Sequence, residues 1–268
     1  MPEGPEIFLA ARKVHEAVAE QPCTLKLSYP PLVAKARSLR GVPIKRVYPR
    51  SKAMLTEFAN GVVLYSHNQL YGEWVVHTKD EPLLPKQVRL VITTAKHQAV
   101  LYSATDFAWL QAGQEHEHPY IAKLGPEVLS SDVTAAHIAQ RLQLFPRRLI
   151  ADALLDQHVV AGLGNYLRAD ILLVARINPL RKIASLRSEE LQRIAKASKT
   201  LTQRSVQKQG VVRPWAAYQA ARKSGADYEQ ARFYAFDREG APCWECSTPI
   251  ERITHSGRGL FYCPKCQA

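Results

Sequence analysis

Two CxxC knuckles close the sequence: CWEC from Cys243 to Cys246, and CPKC from Cys263 to Cys266, with sixteen residues between them. No other feature restricts the fold as tightly. Four thiolates at this spacing converge tetrahedrally on one Zn2+, and because the protein supplies every ligand the site is structural. A metal gripping both ends of a segment forces that segment to double back. The intervening STPIERITHSGRGLFY therefore reads as a β-hairpin turning near Ser256–Gly257, with Arg258 held at its tip. The fifth cysteine, Cys23, stands alone and reads as a small buried hydrophobe.

Upstream, hydrophobic periodicity divides the chain. Residues 5–20 repeat apolar groups at helical spacing through Ile7, Val14 and Val18, with Pro5 and Glu6 suited to the first turn. From about 24 to 110 the period falls to two. TLKLSYP, IKRVYPR, AMLTEF, VVLYSH, EWVVH, VRLVITT and AVLYSA predict short strands of a sandwich, separated by Gly, Pro and Asn turns. Helical spacing returns after about 132 in SDVTAAHIAQRLQL, RRLIADALLDQ, NYLRADILLVARI and SEELQRIAKASKTLTQRSVQ. Residues 207–232 read as an irregular, basic and mobile loop. The expected class is α+β: an N-terminal helix plus an antiparallel β-sandwich, then a helical domain and a zinc hairpin. The expected domains are 1–120, 121–232 and 233–268.

Charge narrows the partners. Lysine and arginine outnumber acids to give a net charge of +12, which points to a polyanion, nucleic acid foremost. No apolar run approaches a membrane span, and Glu3, Glu6, Arg12 and Lys13 interrupt any signal core, so a cytoplasmic protein without a membrane partner is expected. AKARSLRGVPIKRVYPRSK, residues 34–52, holds seven basic residues and no acid; it suits a phosphate-binding face or a solvated strand. In SHNQLYGEW, residues 66–74, Leu70 and Tyr71 sit at a turn, where they either pack over a core or wedge into a base stack. In AGLGNYLR, Gly162 and Gly164 break two helical patterns and Asn165 reads as an N-cap. Pro2 and Glu3 remain unexplained, since they precede the helix that Pro5 and Glu6 begin.

The ordered set PEGPE, SKAMLTEF, LYSHNQLYG, GLGNYLR, FDREGAPCWEC and GRGLFYCPKCQ resembles the Fpg/Nei family of bifunctional DNA glycosylases. The resemblance spans the chain, more weakly in about 75–125 and 205–232. It implies that Pro2, exposed by loss of Met1, is the nucleophile at C1′ of a damaged nucleotide, with Glu3 as its acid/base. It implies that Lys52 lies by the reacting sugar and phosphate. Asn165, from a helix-two-turn-helix, and Arg258, from the zinc hairpin, are implied to grip phosphate, with Arg258 also near the chemistry. Gln69, Leu70 and Tyr71 match the trio that fills the void left by an extruded base. The implied partner is duplex DNA carrying damaged bases or abasic sites, bound by a monomer whose two basic lobes flank it.

Two departures refine the expectation. SVQKQGVVRPW stands where the purine-repair branch carries a Gly-Gly-Thr loop, and the HNQLYG turn also differs; both favour oxidised pyrimidines over oxidised purines. Asp170 replaces the Glu of many relatives. The competing readings are a zinc-containing DNA-binding module without catalysis and a zinc-ribbon RNA-binding accessory protein. Neither has use for Pro2, Glu3 and Lys52 together.

Overall fold

The structure, a computed structural model, describes residues 2–268 and divides into two compact units, residues 1–123 and 124–268.

In the first unit, α1 (Gly4–Val18) precedes β1 (Thr24–Leu27), α2 (Pro30–Ser38), β2 (Ile44–Arg50), β3 (Ala53–Phe58), β4 (Val62–His67), β5 (Glu73–Thr78), β6 (Val88–Thr93), β7 (His97–Tyr102) and β8 (Asp106–Gln111). The strands form two antiparallel four-stranded sheets, ordered β2-β3-β4-β8 and β1-β6-β7-β5. Met54, Phe58 and Leu64 from the first sheet meet Leu90, Ile92 and Leu101 from the second. Ile7, Val14 and Val18 of α1 join this core. Strands β3 and β4 are buried on both faces, because Leu55, Val63 and Tyr65 pack on the opposite side against Ile121 and Tyr120. That is why AMLTEF and VVLYSH each open with a run of consecutive apolar residues rather than alternating.

Two expectations for this unit need correction. Residues 30–38, for which no helix is expected from the sequence and whose latter part falls in the stretch 34–52, form α2: Pro30 and Pro31 occupy its first turn, and Leu32, Ala36 and Leu39 reach the core at helical spacing. Strand β8 was absent from the periodic reading. Its Trp109 faces the main core and donates from Nε1 to the Leu32 carbonyl at 3.2 Å, while Ala108 and Leu110 pack on the other face.

The second unit contains α3 (Ala135–Gln143), α4 (Ile150–Leu155), α5 (Asn165–Ala175), α6 (Ser188–Gln207), α7 (Trp215–Lys223), α8 (Tyr228–Arg232), β9 (Glu251–His255) and β10 (Arg258–Tyr262). Nearly every residue of α5 is buried, so this helix forms the axis of the core. Between α4 and α5 the Gln157 amide donates to the Leu155 and Leu163 carbonyls and accepts from the Gly162 N–H, which holds the two turns closed. Gly162 itself has φ +97°.

The mobile loop expected over 207–232 is instead largely helical. Trp215 stacks on Tyr218 one turn along α7, with ring centroids 5.0 Å apart, and Asp227 caps α8 by accepting from the Gln230 N–H. Arg213 leads into α7 and lies over the Trp244 ring, which Arg238 covers too. Aromatic and cation–π packing orders a stretch whose polar composition suggested none. No helix among the described residues is long and apolar enough to cross a membrane.

Candidate active site and nucleic-acid interface

The N-terminus is built as a helix start. The Glu3 carbonyl accepts from the Ile7 N–H, and the Glu3 N–H donates to Glu6 Oε2 at 2.9 Å. Glu6 therefore has a capping role. Glu3 is buried and Pro2 half-buried. The direction of α1 determines where they lie. Past its end, Ala19 bridges Ile44, and His15 Nδ1 accepts from the Val47 N–H at 3.1 Å. The helix thus runs back along β2. His15 to Glu3 spans about 18 Å of helix, and Val47 to Lys52 about 16 Å of strand. The start of α1 and the turn at Ser51–Lys52 therefore lie at one end of the sheet.

That end also gathers the other candidates of this unit. Ala53 is paired with His67, and His67 with Asp106, so the Lys52 turn, the turn after β4 and the start of β8 are adjacent. Lys52 is 7% exposed, and its N–H donates to the Tyr120 hydroxyl, which in turn reaches Ser51 Oγ at 3.3 Å. The His67 ring meets Tyr120 edge-on. Burial holds the His67 imidazole below its ordinary pKa; Asp106 opposes this and Lys52 reinforces it. His67 Nδ1 accepts from the Gln69 N–H at 2.9 Å, so the neutral ring is anchored to the turn. Tyr120, His67 and Asp106 were missed in the sequence because three separate segments bring them to Lys52.

The turn itself explains Leu70 and Tyr71. The Gly72 N–H donates to the Asn68 carbonyl at 2.7 Å, and the Asn68 amide donates back to the Gly72 carbonyl at 3.1 Å. A Cβ on Gly72 would fall 2.3 Å from the Asn68 carbonyl oxygen. Gln69 adopts φ +53°, with its Oε1 accepting from the Thr105 hydroxyl. This tight closure leaves Leu70 52% and Tyr71 79% exposed. They do not pack over a core.

In the second unit, Asn165 and Arg258 come together. Asn165 is the first helical residue of α5, and Gly164 takes the N-cap position expected of it. Its Nδ2 donates to the Gly259 carbonyl at 3.1 Å, beside Arg258 at the start of β10. Arg168 is fully buried and donates to the same carbonyl and to Asn165 Oδ1. On the other side, Asp152 of α4 accepts from Ser256 and contacts His255 Nε2 at 2.8 Å. The hairpin tip is thus tied to both helices, and Arg258 is exposed on it. Of the seven basic residues in 34–52, Lys45 and Arg46 both grip Glu57, so that stretch is not a uniform phosphate-binding face.

Asp170, left without a role by the sequence, ties α5 to the entrance of the zinc module. Its fully buried carboxylate accepts from the N–H groups of Tyr234, Ala235 and Phe236, at 2.8–3.0 Å. Burial pushes its pKa up to about 6, while those three donors pull it down. The hairpin turns between His255 and Arg258 as its sequence implied. The sulfurs of Cys243, Cys246, Cys263 and Cys266 all lie within 4.8 Å of one another, two pairs at 3.5 and 4.0 Å. A tetrahedral Zn–S4 centre needs about 3.8 Å between sulfurs, so the donor set fits one structural zinc.

Sequence profiles match along the chain: the formamidopyrimidine-DNA glycosylase N-terminal domain over residues 1–106, its H2TH domain over 124–214, and the zinc finger found in FPG and IleRS over 240–268. An "Endonuclease 8" of Pectobacterium atrosepticum is 38% identical, and one of Escherichia coli 39%, each over the whole of both chains. The crystal structure of Lactococcus lactis formamidopyrimidine DNA glycosylase, bound to DNA containing an abasic site, superposes with a TM-score of 0.83 at 22% identity over 99% of each chain. Profiles in this order and full-length identity to endonuclease VIII proteins lead to one conclusion: the chain belongs to the Fpg/Nei family of DNA glycosylases, on its endonuclease VIII branch.

Proposed function

We propose that this chain is a bifunctional DNA glycosylase/AP lyase of base excision repair that removes oxidised pyrimidines from duplex DNA, with Pro2 as its nucleophile. One observation carries the assignment of residues: the start of α1, the Lys52 turn and the exposed Leu70–Tyr71 turn share one end of one sheet. The full-length similarity to endonuclease VIII proteins, at 38–39% identity, favours pyrimidine over purine lesions.

Removal of Met1 leaves Pro2 with a free secondary amine. Its lone pair attacks C1′ while the bond from C1′ to the base breaks and the departing base takes a proton. Opening of the sugar ring gives an iminium, whose positive charge needs no added proton and acidifies the C2′ hydrogens. Glu3, held in place by the backbone bonds of the helix start, acts as the acid/base. Loss of a C2′ proton expels the 3′ phosphate, and a second elimination expels the 5′ phosphate. Lys52 orients the sugar and its phosphate. Arg258 and Asn165 hold backbone phosphates, while Gln69, Leu70 and Tyr71 fill the gap in the stack, offsetting part of the few kcal/mol of extrusion. Zinc keeps the hairpin folded. The working parts are a catalytic part over 1–120, a helix-two-turn-helix part over 121–232 and a zinc module over 233–268, the last two lying within the second compact unit, and the working form is a cytoplasmic monomer on DNA.

The test is borohydride trapping on a duplex with a single 5,6-dihydrouracil. The processed protein should give a covalent protein–DNA band, and the form retaining Met1 should give none. Tight duplex binding with no trapped band from either form would refute the catalytic reading.

A further inference from the structure

Outside the residues assigned above, the second unit has a groove of about 270 Å³ between α5, α6 and the segment before the zinc knuckles. Arg193, Lys196 and Arg204 line it, together with Val174, Leu201 and Tyr234. The three cations stand at i, i+3 and i+11, on one face of α6, so they span about 16 Å of helix. No carboxylate lines the groove, and none of the three forms an ion pair within the described residues. Arg193 Nε donates to the last carbonyl of α5, and Arg204 to the Val212 carbonyl. Each of these guanidiniums has further donors to offer. Lys196 is exposed and makes no such bond. Val174 is 40% exposed on an otherwise buried helix, and Leu201 floors the groove.

A row of cations without carboxylate partners over an apolar floor is chemically selective, since it offers charge to an anion and apolar surface to a side chain at once. A DNA backbone would meet the charges but has no side chain for Val174 and Leu201. Purely apolar partners would leave the cations unpaired, and a planar acidic membrane would pair with Lys196 but not reach Leu201, which is 1% exposed at the floor. We propose that this groove docks an acidic peptide segment of a partner protein. About five extended residues fit along it, with one apolar side chain entering between Val174 and Leu201 and carboxylates meeting Arg193, Lys196 and Arg204. The groove lies at the C-terminal end of α5, about 14 Å along the helix from Asn165. Binding there leaves the residues assigned to DNA untouched. The inference stands apart from the assignment of Pro2.

The experiment uses the full zinc-loaded protein and a fluorescein-labelled pentapeptide, Glu-Asp-Leu-Glu-Asp, followed by anisotropy. Controls replace its leucine with serine, or its acids with their amides. Lys196→Glu and Val174→Ser should each weaken binding at least tenfold while cleavage of an abasic-site duplex stays unchanged. Both control peptides should bind at least tenfold more weakly than the parent. Equal binding by the serine peptide, or by Lys196→Glu and Val174→Ser, would overturn the proposal. So would stoichiometric displacement of the peptide by undamaged duplex, which would make the groove a phosphate-binding surface.

Discussion

Leu70 and Tyr71 are the residues whose surroundings say least about folding. Their side chains face solvent, so truncating both to alanine should change stability by no more than about 0.5 kcal/mol. If they fill the vacated stack as proposed, excision of a damaged base from duplex should nevertheless slow. A lowered Tm for Leu70→Ala/Tyr71→Ala would mean that they pack in the free protein and would remove the case for a wedge. Gly72 carries the opposite expectation. Any Cβ there meets the Asn68 backbone at 2.3–2.8 Å, and backbone cannot swing aside as a side chain can. Gly72→Ala should cost about 2 kcal/mol and shift the melting temperature by several degrees, disturbing Leu70 and Tyr71 by opening the turn. Arg258 is exposed, and no structural role accounts for it. Arg258→Ala should weaken DNA binding across sequences and lower the salt slope by about one; an unchanged slope in a salt titration would show that it touches no phosphate.

Helices and strands formed wherever the sequence period was long and clean, as in α1, α5, α6, β2 and β5 to β7, while β3 and β4 showed instead as short apolar runs between turns. The zinc hairpin was equally legible, since four ligands fix where a chain must double back. Other elements were hidden for physical reasons. The paired prolines opening α2 look like a turn until Leu32, Ala36 and Leu39 are seen to face one core. Helices α7 and α8 are ordered by rings stacking on rings and guanidiniums, a source of order that charge and polarity conceal. Asp170 was hidden differently, because its three partners lie more than sixty residues away. It gives a pH test at the level of the joint between α5 and the 234–236 segment. Its folded pKa of about 6 stands above the ordinary 3.8, so the folded state holds the proton more tightly than the unfolded chain. Its contribution is therefore fullest below about pH 4 and declines as pH rises to about 6, by about 3 kcal/mol in all. Asp170→Asn should remove that slope from denaturant titrations run between those values. It should also lower stability at pH 4, because an amide offers one acceptor oxygen and two hydrogens to a site built from donors. A variant with an unaltered pH slope would show that Asp170 titrates normally.

On the scale of the molecule, the two units differ in what keeps them folded. The first has a sandwich core together with packed outer faces. The zinc module has only a small cluster of its own, in which Ile250 and Phe261 meet Cys243 and Cys263 beside Ala169 and Leu173 of α5, and its hairpin lends Leu260 and Ile253 to the helical core. So few buried side chains cannot offset the chain entropy of a hairpin, and metal coordination supplies most of what is missing. Its tip is also tethered, by Asp152 on one side and by Asn165 and Arg168 on the other, yet each tether is only one or two hydrogen bonds, worth about 1 kcal/mol apiece. Stripping the zinc should therefore unfold the hairpin, release Arg258 and free the Asn165 amide from Gly259. Duplex binding should fall to the level of the remaining basic surface, while the first unit keeps its own melting transition in calorimetry. Adding Zn2+ back should restore binding, and with it any cleavage that was lost, since four thiolates leave the metal no open position for chemistry. If the stripped protein still bound duplex at full strength, the tethers and the burial of Leu260 would be holding the hairpin without the metal, and the four cysteines would have to be explained some other way.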